Sequence, residues 1–215
     1  MKIVVTGSSG FVADYIIQYL QKNTDHEIIG ISRSGVPRFS QNPKVKYFKA
    51  DCLKPETLGV LKDADAIVHT VGTLAEINKF KELNTDSAIN SAKVFGGKKF
   101  VLISSAKAPP GLQGYITTKI DAENYLKEQQ KFDTTIIQPG FIWDASSRWW
   151  SVPLRLLIDL LYWVNVYVLR ENRFTDFIFP ARSTHLNTIS HYVKQGVEGQ
   201  FKGTVTPEML NQFEY

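Results

Sequence analysis

Tyr115 and Lys119 stand four positions apart in the segment GYITTK, residues 114–119. Side chains at this spacing share one face of a helix, so an ammonium group would lie beside a phenol. A neighbouring positive charge lowers the pKa of a phenol from about 10, as a proton donor working near neutral pH requires. The preceding apolar run ends in Ser104 and Ser105, and a serine hydroxyl there could hold a carbonyl oxygen beside Tyr115. Ser105, Tyr115 and Lys119 are therefore the candidate catalytic residues.

A glycine-rich segment, TGSSGFVA at residues 6–13, directly follows the first apolar run of the chain. Gly7 permits a tight turn, Gly10 lets backbone approach a pyrophosphate, and Ala13 lets a helix pack closely on a strand. The start of that helix offers free N–H groups to phosphates. The segment predicts a dinucleotide-binding loop, with a purely structural turn as the alternative. Its candidate cofactor-binding residues are Gly7, Ser9, Gly10, Phe11, Val12 and Ala13.

The end of the second apolar run indicates which dinucleotide is bound. A carboxylate at this point accepts a hydrogen bond from the ribose 2′-hydroxyl of NAD. The chain instead has Ser32 and Arg33, and a guanidinium is suited to a 2′-phosphate. The sequence therefore favours NADP(H) over NAD(H), with a solvated loop arginine as the other interpretation of Arg33.

Two further loops are predicted to border the same cofactor, because they follow the third and fourth apolar runs. Asp51 could bind the adenine amino group, and the backbone of residues 70–72 could pass near a ribose. His69 is interpreted as a packed residue at the end of a strand. No spacing typical of a metal site is present. The cofactor-binding residues predicted in these loops are Asp51, Cys52, Thr70, Val71 and Gly72.

The elements that must position these residues follow from an alternation of short apolar runs with longer amphipathic segments. This alternation predicts βαβ units and a doubly wound parallel sheet of Rossmann type, with six strands before Pro139. The predicted strands are 2–6, 27–32, 45–48, 66–69, 99–104 and 134–138. The predicted helices are 11–20, 55–61, 82–95, 115–130 and 151–169.

Composition limits the class of protein further. The 215 residues carry 43% hydrophobic side chains and a net charge of +4, which is typical of a globular domain. The small excess of positive charge is not concentrated in a basic stripe, so nucleic acid is not predicted as a partner. The apolar stretch at 156–169 is shorter than the roughly 20 residues of a membrane span. The first residues are interpreted as a strand, so no leader segment is predicted there.

The residues after Pro139 differ in composition, since all four tryptophans lie there. We therefore expect a nucleotide-binding domain at residues 1–145 and a small, mostly helical, aromatic-rich lobe at 146–215 packed on it. The apolar helix at 151–169 could cap one end of the sheet. Alternatively, the region from Trp149 to Phe179 could dock another protein or contact a membrane surface, because apolar surfaces of that size seldom face water.

Eight short motifs occur in a fixed order over residues 6–144: TGSSGFVA, SRS, ADCLKP, VHTVG, ELN, LISSA, YITTK and IIQPGFIWD. In that order they resemble the extended and atypical branch of the short-chain dehydrogenase/reductase superfamily. The resemblance implies the phosphate loop, the nucleotide-reading Arg33 and the catalytic trio already described. It also implies that Asn84 supports the site, that Lys119 holds the nicotinamide ribose and that Pro139 borders the nicotinamide.

A narrower resemblance is carried by SRSG, GYI-x-x-K, PGF-x-x-D and the late segment FKGTVTPEML. It is to accessory proteins of the mitochondrial coenzyme Q synthesis complex and of respiratory complex I. This resemblance implies a mitochondrial protein on the matrix side, with protein partners in a membrane-associated complex. NADP(H) would be a bound ligand that stabilises its fold. The alternative is an NADPH-dependent oxidoreductase that acts on an apolar carbonyl or quinone-related substrate. The short region after Pro139 leaves little wall for a polar substrate.

Overall fold

The computed structural model describes residues 1–39, 42–106, 113–144, 151–167 and 183–212. Its centre is a seven-stranded sheet in which every neighbouring pair of strands is parallel. The six strands of the predicted domain are β1 (Lys2–Thr6), β2 (Glu27–Ser32), β3 (Lys46–Lys49), β4 (Ala66–His69), β5 (Lys99–Ile103) and β6 (Asp133–Ile137). Their spatial order is β3-β2-β1-β4-β5-β6, so the predicted doubly wound α/β fold is confirmed.

Helices cover both faces of this sheet, because alternate side chains of each strand point to opposite faces. In β1, Ile3 and Val5 join one buried cluster and Val4 joins the other. The first cluster is covered by α1 (Phe11–Asn23) and α5 (Leu186–Glu198), and the second by α2 (Ser87–Val94) and α3 (Gln113–Glu128). The inner strands β1, β2, β4 and β5 are buried on both faces, which explains why they are apolar without alternation, whereas the edge strand β3 is mostly exposed.

The seventh strand, β9 (Gly203–Val205), was not among the predicted elements. It pairs in parallel with β6 and extends the sheet beyond its sixth strand. The helix α5 reaches the same sheet and packs beside α1. A short helix, α6 (Pro207–Asn211), follows β9. These elements lie in the range predicted as a small, mostly helical lobe packed on the nucleotide-binding domain, and the sheet itself continues past residue 145 through β9.

Two predicted helices have different local geometry. Residues 55–61 form two short 3₁₀ turns, Pro55–Thr57 and Gly59–Leu61, instead of one helix. The predicted helix at 82–95 begins with a π-helical turn, Lys81–Asp86, before α2 continues to Val94. A π turn holds one more residue than an α turn and often occurs at functional sites.

A helix with apolar residues on its outer side lies next to a small second sheet. This helix, α4 (Ser151–Tyr167), packs on β7 (Ile142–Trp143), which pairs with β8 (Thr184–His185). Among the described residues, no helix has the length and hydropathy required to cross a membrane. The predicted docking residues Trp149, Trp150 and 168–179 lie outside the described residues.

Polar side chains attach α4 to the body of the protein. The Arg155 guanidinium lies 3.8 Å from the centre of the Trp143 ring, and its Nε is 3.2 Å from Asp159. Asp159 also accepts hydrogen bonds from the backbone N–H and the hydroxyl of Ser183, at 3.1 and 2.7 Å. On the outer side, five apolar residues are 41–59% exposed: Leu154, Leu156, Leu157, Leu160 and Trp163. This helix thus exposes apolar side chains on the face that is usually polar in a surface helix.

Candidate functional site

The loop between β1 and α1 has the geometry of an anion-binding turn. Gly7 adopts a φ of +71°, and a Cβ there would lie 2.9 Å from the Thr70 hydroxyl oxygen. The Gly10 N–H donates to the Gly7 carbonyl at 2.8 Å, which closes the turn. Gly10 is the N-cap of α1 and has no side chain to bond the first N–H groups of that helix. Those donors are therefore available to a phosphate.

A cleft of about 220 Å³, here called the nucleotide cleft, opens beside this turn at the carboxyl ends of the strands. It brings together ten of the predicted cofactor-binding residues, namely Gly7, Ser9, Gly10, Ser32, Arg33, Asp51, Cys52, Thr70, Val71 and Gly72. It is also lined by residues that the sequence analysis did not select, among them Thr73, Glu76, Leu83 and Ser87. Ala13 is fully buried and lies in the core behind the cleft.

Arg33 is an exposed residue at the rim of the nucleotide cleft. Glu76 faces the same cleft, and its pKa is held below its ordinary value by a hydrogen bond and charge from Lys79 and, more weakly, by Arg33. The Lys79 ammonium lies 2.5 Å from the Glu76 carboxylate and offsets its charge. This pairing leaves the Arg33 guanidinium in a position to attract an anion.

Asp51 and Cys52 form the wall where adenine is predicted to bind. The Asp51 carboxylate accepts a hydrogen bond from the Leu53 N–H at 3.0 Å, so its orientation is set by its own loop. Burial raises the pKa of the Cys52 thiol to about 11. Cys52 is therefore a neutral thiol at physiological pH, and it serves as an apolar wall residue.

A second cleft of about 310 Å³, here called the catalytic cleft, adjoins the first one. Thr70, Gly72 and Thr73 line both clefts and form their common wall. The catalytic cleft contains the three predicted catalytic residues together with the remaining predicted cofactor residues: Ser105, Tyr115, Lys119, Phe11, Val12 and Pro139. A dinucleotide that spans both clefts would thus place its second half beside Tyr115.

Tyr115 lies near the start of α3, against the edge of the Phe80 ring at 5.8 Å between centres. Burial raises the pKa of its phenol, and a hydrogen bond with Ser105 lowers it by less. The predicted lowering of this pKa by Lys119 is wrong for the structure shown, because desolvation outweighs the other effects. The phenol keeps its proton up to high pH, so it can act as a proton donor.

Lys119 is almost completely buried and points across the floor of the catalytic cleft. Its ammonium donates to the carbonyl oxygens of Ile103 and Val71, at 3.1 and 3.4 Å. Burial lowers its pKa to about 8, while the carboxylate of Glu123 acts in the opposite direction. Lys119 is thus held between the end of β5 and the loop after β4, where both clefts meet.

Asn84 and Gly72 secure the common wall of the clefts. Asn84 lies on the π turn, is fully buried, and accepts the Thr73 N–H at 3.0 Å while donating to the Thr118 hydroxyl at 3.1 Å. A Cβ at Gly72 would lie 2.8 Å from the Lys119 nitrogen and 2.9 Å from the Asn84 side-chain oxygen. Only glycine leaves the space that these two side chains occupy.

His69 is a structural residue, as predicted. It is fully buried at the end of β4, and its two ring nitrogens lie 3.0 Å from the Thr6 hydroxyl and 3.2 Å from the Ser87 hydroxyl. Burial and the Lys119 charge lower its pKa to about 3, so the ring is neutral. In the part of the chain that the structure describes, no group of three acidic, histidine or cysteine side chains could hold a metal ion.

Sequence reasoning missed a buried polar network behind the catalytic cleft. It consists of Glu123 on α3 and its partners Ser104 and Gln138, which follow β5 and β6. One signal in the sequence points to it, because Glu123 repeats the four-residue spacing of Tyr115 and Lys119 on the same helix face. The strand-end partners come from distant parts of the chain, and only the sheet brings them together.

Comparison with known proteins agrees with this geometry. The model of the NAD(P)H-binding family matches residues 7–151. An uncharacterised chloroplastic protein of Arabidopsis thaliana is 33% identical over 192 residues, which are 85% of this chain and 62% of that protein. The chain thus spans about three fifths of the length of this relative. An uncharacterised sugar epimerase of Bacillus subtilis is 27% identical over 158 residues, covering 65% of this chain and 72% of the epimerase.

The fold is also found in a solved structure. The crystal structure of an oxidoreductase from Lactococcus lactis superposes with a TM-score of 0.66 at 20% identity. The match covers 99% of this chain and 96% of that oxidoreductase. From its family match and the sheet order, the chain belongs to the NAD(P)H-binding family and has the fold of extended, epimerase-like short-chain dehydrogenase/reductase proteins.

Proposed function

We propose that the protein is an NADP(H)-dependent oxidoreductase that reduces a carbonyl group on an apolar substrate. The observation that supports this most is the placement of Ser105, Tyr115 and Lys119 together in the catalytic cleft. The glycine turn and the nucleotide cleft suit a nicotinamide dinucleotide, since the Gly7 turn and the open start of α1 form a cradle for its phosphates.

The catalytic side chains have different tasks in this reaction. A bound NADPH supplies the hydride that reduces the carbonyl carbon. Ser105 holds the carbonyl oxygen, and Tyr115 donates its proton to that oxygen as negative charge develops there. Lys119, with its positive charge at the junction of the clefts, holds the nicotinamide ribose and stabilises the phenolate left on Tyr115. Solvent then returns the proton to Tyr115.

The lining of the catalytic cleft favours an apolar substrate over a sugar. Apolar side chains form much of its wall, namely Phe11, Val12, Leu74, Ile103, Phe141 and Ile142. A sugar-nucleotide substrate would bury many hydroxyl groups against these residues without hydrogen-bond partners, which costs binding energy. The proposal is tested by following NADPH oxidation with decanal and with a short-chain benzoquinone. Tight NADPH binding without consumption of either probe would contradict it.

The preference for NADP(H) is tested at Arg33. We expect Arg33→Ala to weaken NADPH binding by about 10- to 100-fold, because a charge-assisted hydrogen bond to the 2′-phosphate is lost. NADH binding is expected to change by less than about twofold, since NADH lacks that phosphate. Fluorescence titration with both nucleotides measures the two affinities.

The matched control for this experiment is Arg38→Ala. Arg38 is also exposed but lies outside the nucleotide cleft, over the Phe39 ring at 5.9 Å. Its replacement is expected to leave both affinities unchanged. Equal losses of NADPH and NADH affinity in Arg33→Ala would contradict the assigned role.

A second candidate function, that of an accessory subunit in a membrane-associated complex, is favoured by the outer face of α4. This face exposes leucines while the opposite side carries the Arg155–Asp159 pair. A surface of this kind is typical of a protein-protein interface. In this alternative NADP(H) stabilises the folded subunit by binding without being consumed. The mitochondrial location implied by the narrower resemblance stays a prediction.

The docking role is tested by placing charges on this face. The double variant Leu156→Glu, Leu160→Glu is expected to keep its NADPH affinity and to move from a high-mass assembly to the monomer fraction. Charged side chains cannot be desolvated in an apolar interface without a large cost. Size-exclusion chromatography of gently solubilised membranes from cells that express the tagged chain measures this distribution.

The control is Ile77→Glu, because Ile77 is the most exposed of the large apolar side chains that the structure describes, at 73%, and belongs to the turn Ile77–Lys79, outside α4. It is expected to distribute like the unmodified chain. Retention of the double variant in the high-mass fraction would exclude α4 as the docking surface.

A further inference from the structure

Glu123 carries a buried carboxylate directly behind the catalytic cleft. The residue is 2% exposed and lies one helical turn after Lys119 on α3. It does not line the cleft itself. A buried carboxylate is costly unless hydrogen bonds and opposite charges compensate it, so its position requires partners.

Those partners come from the ends of two strands. Ser104 directly follows β5, and its hydroxyl donates to one carboxylate oxygen at 2.5 Å. The Gln138 amide, directly after β6, lies 2.9 Å from both oxygens. The half-exposed Lys127 ammonium approaches from the solvent side at 3.3 Å. The carboxylate thus connects the ends of β5 and β6 to α3.

Each strand-end partner is followed by a residue of the catalytic cleft. Ser105, which lines the cleft with Tyr115, comes after Ser104, and Pro139 comes after Gln138. The Ala106 N–H donates to the Pro139 carbonyl at 2.8 Å, which joins the two strand ends again on the cleft side. A displacement at Glu123 would therefore move both the hydroxyl of Ser105 and the border of the nicotinamide position.

Glu123 also provides negative charge near Lys119. The Lys119 ammonium is buried among carbonyl oxygens, and the Glu123 carboxylate favours its protonated form. Resting on the proposed function, we propose that Glu123 is a positioning residue with two effects: it aligns Ser105 and Pro139 with Tyr115, and it keeps Lys119 protonated.

The charge effect is tested without any turnover. The protein is labelled with isotope-enriched lysine, and the Lys119 signal, assigned by its loss in Lys119→Met, is titrated by NMR. Glu123→Gln is expected to lower the titration midpoint of Lys119 by about one pH unit, because an opposite charge is removed. Asp121→Asn is the control, since Asp121 is an exposed acid on the same helix. An unchanged midpoint in Glu123→Gln would overturn the charge role.

Glu123→Asp separates charge from alignment, and it also serves if Glu123→Gln fails to fold. The shorter side chain keeps the charge but cannot reach both strand ends. We expect a Lys119 midpoint like that of the unmodified chain, with NADPH oxidation at least about tenfold slower. Unchanged turnover, or a midpoint displaced by a full unit, would overturn the proposal. If the unmodified chain consumes no NADPH with decanal or the quinone, the proposed function fails, while the titration still tests Glu123.

Discussion

Tyr115→Phe is expected to lower the rate of NADPH-dependent carbonyl reduction by a factor of about 10² to 10⁴, the usual contribution of a general acid. The reason is that Tyr115 is a protonated phenol that lines the catalytic cleft together with Ser105. The NADPH dissociation constant is expected to change by less than about twofold, since this hydroxyl acts on the substrate oxygen. Steady-state kinetics and fluorescence titration measure the two quantities.

Tyr125→Phe is the matched control. Tyr125 lies on the same helix, is half-buried against the core and lines neither cleft, and its replacement is expected to leave turnover unchanged. If Tyr115→Phe turns over substrate at the unmodified rate, the catalytic assignment is wrong. Unaltered binding with no turnover in either protein would instead favour the accessory role.

Gly72→Ala is expected to reduce turnover by about 10²-fold with a small effect on folding. The added methyl group would overlap the Lys119 nitrogen and the Asn84 oxygen, at 2.8 and 2.9 Å. Asn84 is short and bonded on both sides, so Lys119, with its flexible side chain, is the group that moves. NADPH affinity is expected to fall as well, because Gly72 lines both clefts.

The matched control for this change is Gly59→Ala. A Cβ at Gly59 meets no atom within 4 Å, so the free energy of unfolding and the NADPH affinity are expected to stay close to their original values. Thermal unfolding of both variants separates a folding defect from a local one. A Gly72→Ala protein with full turnover would show that Lys119 need not stay where the structure places it.

Much of the fold could be predicted from local patterns. The strands at 2–6, 27–32 and 66–69 were predicted with their observed bounds, because uninterrupted β-branched runs between turn residues are a strong signal. The β9 strand was missed since it has three residues, begins with a glycine, and is stabilised by pairing with β6. Its existence depends on a partner more than sixty residues away.

The site residues could be predicted where a short sequence motif indicates their chemistry. They could not be predicted where burial determines a pKa or a contact. The glycine turn, Arg33 and the Tyr115–Lys119 pair each have a local signature, and the structure places them around two adjoining clefts. The pKa of Tyr115 was predicted in the wrong direction, because desolvation depends on packing that no spacing reveals. The network of Glu123 was missed for a related reason, since its partners converge only when β5 and β6 lie side by side.

The pairing of α5 with α1 has a consequence for biosynthesis. The apolar face of α1 is covered by a helix that starts at Leu186, so residues 186–198 must be synthesised before this face is buried. A nascent chain that already contains the glycine turn would still expose the apolar face of α1 and would be prone to aggregation. Competence to bind nucleotide should therefore arise only after α5 has been synthesised, and chaperones are expected to protect the chain until then.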